Sequence, residues 1–193
     1  MKGVLFRAEM VQAIAAGRKT VTRRVIKGCV AAWGDGTIRA ESPRYHPGEI
    51  VYIKEAWYVG KQHDHLKPRE LPRDMPVGFI VPLEGIGELP GRLRSPLFLP
   101  ERMARFFLKI KSVMTCRTRD ITSQDCMAEG IRITRLPLCG PGGATVYHWE
   151  DYPTPKVFES ARTAYFALYD SINGRGAHDK NWDFRYEFEI RKP

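Results

Sequence analysis

The chain has 193 residues, 43% of them hydrophobic and 11% aromatic, enough for one domain with a sizeable core and too much for disorder along the whole length. Lys and Arg number 31 against 22 Asp and Glu, a net charge of +9. That excess points to a polyanionic partner, RNA or a nucleotide, because phosphates attract Lys and Arg before any specific contact forms.

Residues 4–6 form a short apolar run that predicts a first strand. Arg7 and Glu9 end it too soon for a signal-peptide core, and no run approaches the roughly 18 apolar residues of a membrane span, so a cytoplasmic protein with no membrane partner is expected. Ala8 to Ala16 predicts a helix, with Met10, Val11 and Ile14 at helical spacing and Gly17 at its stop. TVTRRVI is β-branched and predicts a strand. EIVYIKEAWYV, residues 49–59, predicts one continuous strand whose alternation puts Glu55 on the face of Trp57.

Seven prolines between Pro68 and Pro100, with glycines interleaved, predict a loop-like insertion over about 60–100. Arg105 to Cys116 predicts a strand with Phe106, Leu108 and Ile110 on one side. DITSQDCMAEGI predicts a short helix, Thr122 and Asp125 resembling a capping box and Gly130 supplying the stop. A second insertion spans about 131–154, irregular and rich in Gly and Pro from about 135. The last helix is expected to start near Thr154-Pro155, to carry Val157, Ala161, Ala164, Tyr165 and Leu168 along one side, and to end near Asn173-Gly174. WDFRYEFEIR predicts a closing strand. This order lacks the regular alternation of a doubly wound sheet and predicts an α+β fold, a small β-barrel flanked by helices.

Cys29, Cys116, Cys126 and Cys139 show no two-residue spacing of a zinc or redox motif, and His63 and His65 have no cysteine near them. No metal and no cofactor is expected, and free thiols suit a reducing compartment.

GRKTVTRR holds the chemistry-bearing cluster. Gly17 frees the backbone to turn, Lys19 is a compact cation whose pKa falls on burial, Thr22 offers a hydroxyl, and Arg24 a planar fork suited to phosphate. A solvated basic helix end reads equally well from spacing alone. Lys19 and Thr22 differ in strand parity, so they converge only where the turn after Gly17 carries Lys19 around.

The Gly-x-Lys-x-x-Thr-x-Arg pattern at 17–24 resembles the signature of the ASCH domain, a relative of the RNA-binding PUA domain. PGEIVYIKEAWYV, SPLFLPERMARFFLKI, DITSQDCMAEGI and LYDSINGRG are similar to segments of the long, phage-type members. The resemblance implies a PUA-like barrel over residues 1–193 with a basic cleft beside the signature. In the N4-acetylcytidine amidohydrolases, a small ASCH type, the signature Lys and Thr act with a Glu from a later short helix. Carried onto this chain, those residues are Lys19, Thr22 and Glu129. This chain is longer than those enzymes and ends in NWDFRYEFEI, where long members often carry a Pro-Trp-x-Trp strand.

The chemistry implied is amide hydrolysis at an acylated cytosine, with Thr22 as nucleophile, Lys19 as base and Glu129 as proton donor. Arg24 and Arg23 are candidate contacts to substrate or RNA, Glu55 a buried partner for Arg23 or Arg24 or itself a substrate contact, Trp57 a stacking platform and Arg105 a phosphate contact. A non-catalytic RNA-binding or regulatory module is the alternative. RNA cleavage stands last, because no His lies beside the signature.

Overall fold

In the computed structural model the described residues are 1–27, 31–32, 38–39, 42–80, 91–136, 144–149 and 156–191. In chain order the elements are β1 (Lys2–Leu5), α1 (Ala8–Ala15), β2 (Val21–Val25), β3 (Ala31–Ala32), β4 (Ile38–Arg39), β5 (Ile50–Lys54), β6 (Trp57–Tyr58), β7 (Gly78–Phe79), β8 (Phe107–Arg117), α2 (Ser123–Ala128), β9 (Arg132–Leu136), β10 (Ala144–His148), α3 (Ala161–Asn173), α4 (Ala177–Lys180) and β11 (Trp182–Arg191). The fold is α+β. Its main sheet has five strands in the order β1-β5-β8-β11-β2, parallel between β1 and β5 and antiparallel elsewhere. Among the described residues β1 and β2 are free edges, so the sheet does not close into the expected barrel. No described helix is long and apolar enough to cross a membrane.

Strand alternation sorts the apolar residues of this sheet. Val4, Val51, Ile53, Leu108, Ile110, Phe184, Tyr186 and Phe188 join Val11 and Ile14 of α1 in one core cluster. A second cluster joins Ile121 and Cys126 of the α2 region to Ala161, Ala164, Tyr165, Leu168 and Tyr169 of α3, with Val25 of β2 packed against it. Met10 of α1 packs against both clusters, so α1 bridges them.

Several sequence expectations need correction. The strand expected over 49–59 breaks at Glu55-Ala56, and β6 leaves the main sheet to pair with β7. Leu71 and Leu99 of the Pro-rich insertion join Trp57, Val59 and Met103 on its flanks in a third core cluster, so the described part of the insertion is packed. Arg94 fastens it, its guanidinium lying 5.0 Å from the Trp57 ring and donating to the carbonyls of Leu66, His63 and Asp64. The second insertion contains a hairpin, β9 with β10, where an irregular stretch was expected.

The last helix begins at Ala161 behind a Ser160–Thr163 capping box, which leaves Val157 outside it; Thr154 and Pro155 lie outside the described residues. Cys116 and Cys126 are free thiols, while Cys29 and Cys139 also lie outside the described residues.

Candidate functional site

Two glycines bring the signature against α2. Gly17 has φ +71°, and the turn it opens lets the amides of Arg18 and Lys19 fold back onto the Ala13 carbonyl at 2.8 and 3.0 Å. Lys19 therefore precedes β2, and strand parity no longer governs it. Gly130 has φ +104°, and a Cβ there would come within 3.3 Å of the Ala13 Cβ and 3.6 Å of the Lys19 Cβ. Only glycine combines that backbone with that approach, which brings Glu129 over Lys19.

Lys19 Nζ donates to Glu129 Oε2 at 2.6 Å and to the Glu129 carbonyl at 2.8 Å. Lys19 is 2% exposed and Glu129 6%, so the pair is closed off from water. Burial holds the Lys19 ammonium below its usual range, opposed by Glu129 and reinforced by Arg24 and Arg23. Arg23, on β2, reaches Glu129 Oε1 at 3.4 Å and Asp125 Oδ2 at 2.7 Å. Asp125 also accepts from Arg185 of β11 at 3.0 Å, so one carboxylate ties two neighbouring strands to α2. These guanidinium groups hold the Asp125 carboxyl below the usual range despite partial burial.

Asp125 was legible in the sequence only as a cap partner. Its amide does bond Thr122 Oγ1 at 3.1 Å, but its carboxylate serves Arg23 and Arg185 instead of closing a capping box. Tyr165, expected only as part of the apolar side of the last helix, lies under Arg23 at 5.9 Å.

Thr22 and Arg24 stand on the opposite face of β2 from Arg23, opposite Tyr186 and Phe184 of β11. Thr22 is buried, and among the described residues no hydrogen bond links its hydroxyl to Lys19. The Arg24 guanidinium lies 4.9 Å from the Phe6 ring and donates from Nη2 to the Leu5 carbonyl at 2.5 Å.

Three expected contacts lie elsewhere. Glu55 pairs with Arg105 rather than with Arg23 or Arg24, through bonds of 2.9 and 2.7 Å. That bidentate geometry engages the Arg105 fork that was expected to meet phosphate. Trp57 is fully buried beneath Arg94, so its ring offers no face for a base to stack on.

Two cavities flank the first turn of α1, and Arg7 and Glu9 line both. The narrower, about 30 Å³, is lined by Glu129, Gly130, Ala13, Met10, Trp149 and Leu168, room for about one water. The larger, about 300 Å³, is lined by Phe6, Arg7, Ala8, Glu55, Ile80 and Pro96, a size that ordinary small-ligand sites reach. Trp149, stacked on Phe158 at 5.3 Å, is the aromatic that borders Glu129; it was hidden in a stretch read as irregular.

No family model matches the sequence, and no curated protein matches it. Among solved structures, the crystal structure of a protein from Enterococcus faecalis V583, described under the family model DUF984, is similar at 9% identity and a TM-score of 0.45, over 100% of this chain and 81% of that one.

What the arrangement can do follows from one buried proton. Moving it across the 2.6 Å bond turns an ammonium–carboxylate pair into an amine beside a carboxylic acid, a base next to an acid.

Proposed function

We propose that this chain is an ASCH-type, PUA-like protein that handles RNA or a nucleoside, and that its concrete activity is hydrolysis of an N4-acylated cytidine amide. The observation that carries the reading is the closed Lys19–Glu129 pair at 2.6 Å, at the end of the strand that bears Thr22. In the neutral form of the pair, Lys19 accepts the Thr22 hydroxyl proton as the oxygen attacks the acyl carbon. Glu129 then protonates the cytosine N4 as the C–N bond breaks, leaving an acyl ester on Thr22. Water hydrolyses that ester to a carboxylic acid and frees the hydroxyl. Burial lowers the Lys19 pKa, which favours the amine that accepts the proton. Arg23 supports the geometry by holding Glu129 from its other oxygen.

The test is release of cytidine from N4-acetylcytidine by the full chain, beside Lys19→Met and Thr22→Val, each checked for folding by circular dichroism. Turnover by the wild type and at least about a hundredfold loss in both variants is expected, the usual scale for a lost acid–base group. Full activity in folded Lys19→Met and Thr22→Val would exclude the mechanism.

A second reading, binding without chemistry, is favoured by the tightness of the cavity beside Glu129, about 30 Å³. It predicts RNA affinity that falls steeply with added salt, and affinity indifferent to salt would remove it.

A further inference from the structure

Arg24 is a half-buried cation without an anion. Its one hydrogen bond runs from Nη2 to the Leu5 carbonyl; its closed-off Nε has no partner, a feature it shares with Arg23, Arg94 and Arg185. Burial holds the guanidinium below its usual range, opposed by Tyr45, by Glu129, which does not bond it, and by Tyr186, while the nearby Arg44 adds to the lowering. Among the described residues no carboxylate forms an ion pair with it, although Arg23, Arg105 and Arg185 each have one. A structural arginine need not have a carboxylate, as Arg94 illustrates. Arg94, however, gives its N–H groups to three main-chain carbonyls, and Arg24 gives to one. A guanidinium has five donors, and buried polar groups left without partners carry a cost that a folded protein ordinarily avoids.

The surroundings indicate what would complete it. Phe6, which carries the Arg24 guanidinium on its ring, also forms a wall of the cavity of about 300 Å³. Arg7 lines the same cavity and bonds only the Ser171 hydroxyl and carbonyl, so it too lacks a carboxylate. Of the two acidic side chains on that wall, Glu55 is neutralised by Arg105 and Glu9 is exposed. Thr22 and Arg24 lie two residues apart on one face of β2, about 7 Å along the strand, within the span of a single nucleotide.

We infer that Arg24 is the phosphate-holding residue of this site, and that the ligand is a nucleotide or RNA strand carrying a phosphoester, not a free nucleoside. This rests on the reading above that the site handles RNA or a nucleoside, and it deepens that reading by naming the charged group. The planar fork of Arg24 suits a phosphate through two parallel N–H···O bonds, which a lysine cannot reproduce.

The test is calorimetric binding of cytidine 5′-monophosphate, cytidine and inorganic phosphate to the full chain, with Arg24→Met and Arg24→Lys alongside. For the wild type the monophosphate is expected to bind at least about tenfold more tightly than cytidine, the scale of one charge-assisted hydrogen bond. Arg24→Met should bring the two affinities together, and Arg24→Lys should recover only part of the preference. Without ligand, Arg24→Met should melt no lower than the wild type, because it removes an uncompensated charge; a purely structural arginine would lower the melting temperature.

A short single-stranded RNA in place of the monophosphate distinguishes a strand from a free nucleotide as the source of the phosphate. Equal affinity for cytidine and its monophosphate, failure of the wild type to bind either, or a preference that survives in Arg24→Met would overturn the inference. The result is independent of turnover: acetylcytidine hydrolysis without a phosphate preference leaves the enzyme reading standing, and a phosphate preference without hydrolysis leaves this one.

Discussion

Arg23 turns its guanidinium to α2, where Asp125 and Glu129 accept from it, whereas Arg24, on the other face of the same strand, meets one carbonyl and the Phe6 ring. The two side chains are chemically identical and adjacent, and strand alternation alone sends them to different surroundings. Arg23 completes a structural tie, its charge held well above the usual range by Glu129 despite burial, while burial lowers Arg24 without relief from a bonded carboxylate. A run of like charges in a sequence therefore says little until its faces are known: one member is bound by two carboxylates and the next by none.

The sharpest way to break this contrast is to remove each cation in turn. Arg23→Met leaves Asp125 and Glu129 without their shared partner and should cost about 4 kcal/mol in urea unfolding, the usual penalty for breaking a buried pair. Arg24→Met in the same assay should not lower stability, and any gain should stay under about 1 kcal/mol, as for a residue whose loss orphans no buried partner. Equal losses would erase the distinction.

A second prediction concerns the Arg23 side of the sheet, where Asp183 is fully buried without a directly bonded cation. It accepts from Thr118 Oγ1 at 2.5 Å and the Tyr169 hydroxyl at 2.7 Å, yet burial raises its pKa from 3.8 to about 6. Between those values the folded chain holds a proton that the unfolded chain has released, so stability is fully present below the lower value and falls as pH rises through the upper one. The loss amounts to about 3 kcal/mol for a shift of this size. Asp125 works in the opposite sense, since its lowered pKa costs stability as pH falls. Subtracting the urea-unfolding curve of Asp183→Asn from that of the wild type between pH 4 and pH 6.5 isolates the Asp183 slope, and a flat difference would rule it out.

The smallest effect probes the helix that presents the carboxylates. Thr122 Oγ1 caps α2, and Thr122→Ala should cost about 1 kcal/mol in the same urea assay. Because it loosens only the Arg23 side, binding of a phosphorylated ligand at Arg24 should change less than about twofold.

Where local signals were strong, the sequence was readable. The apolar spacing around Val11 and Ile14 reappears as a helix that buries both, the cap and stop around DITSQDCMAEGI as the short helix α2, and WDFRYEFEIR as the closing strand. The pairing of Lys19 with Glu129 was reachable only through the family resemblance, since 110 positions separate them and no period links them. Glu55 was misread because alternation was extended past the point where β5 ends, and its partner Arg105 lies 50 residues on. The β9–β10 hairpin was obscured by the Gly and Pro between its strands, although the tie between Thr134 and His148 at 2.8 Å crosses it. Local chemistry predicts elements; pairings across the sheet depend on the whole topology.

The position of β2 at an edge of the sheet, paired among the described residues with β11 alone, governs when the site can exist. The strand bearing Thr22, Arg23 and Arg24 is made early in synthesis, but its hydrogen-bonding partner spans Trp182–Arg191. A ribosome-bound chain that has emerged only as far as Gly130 already carries Lys19 and Glu129 and still lacks the strand that registers them. Such long-range pairing forms late and slowly. Nascent and C-terminally truncated chains should therefore be inert toward ligand, and the site becomes competent only as the sheet closes on its final strand.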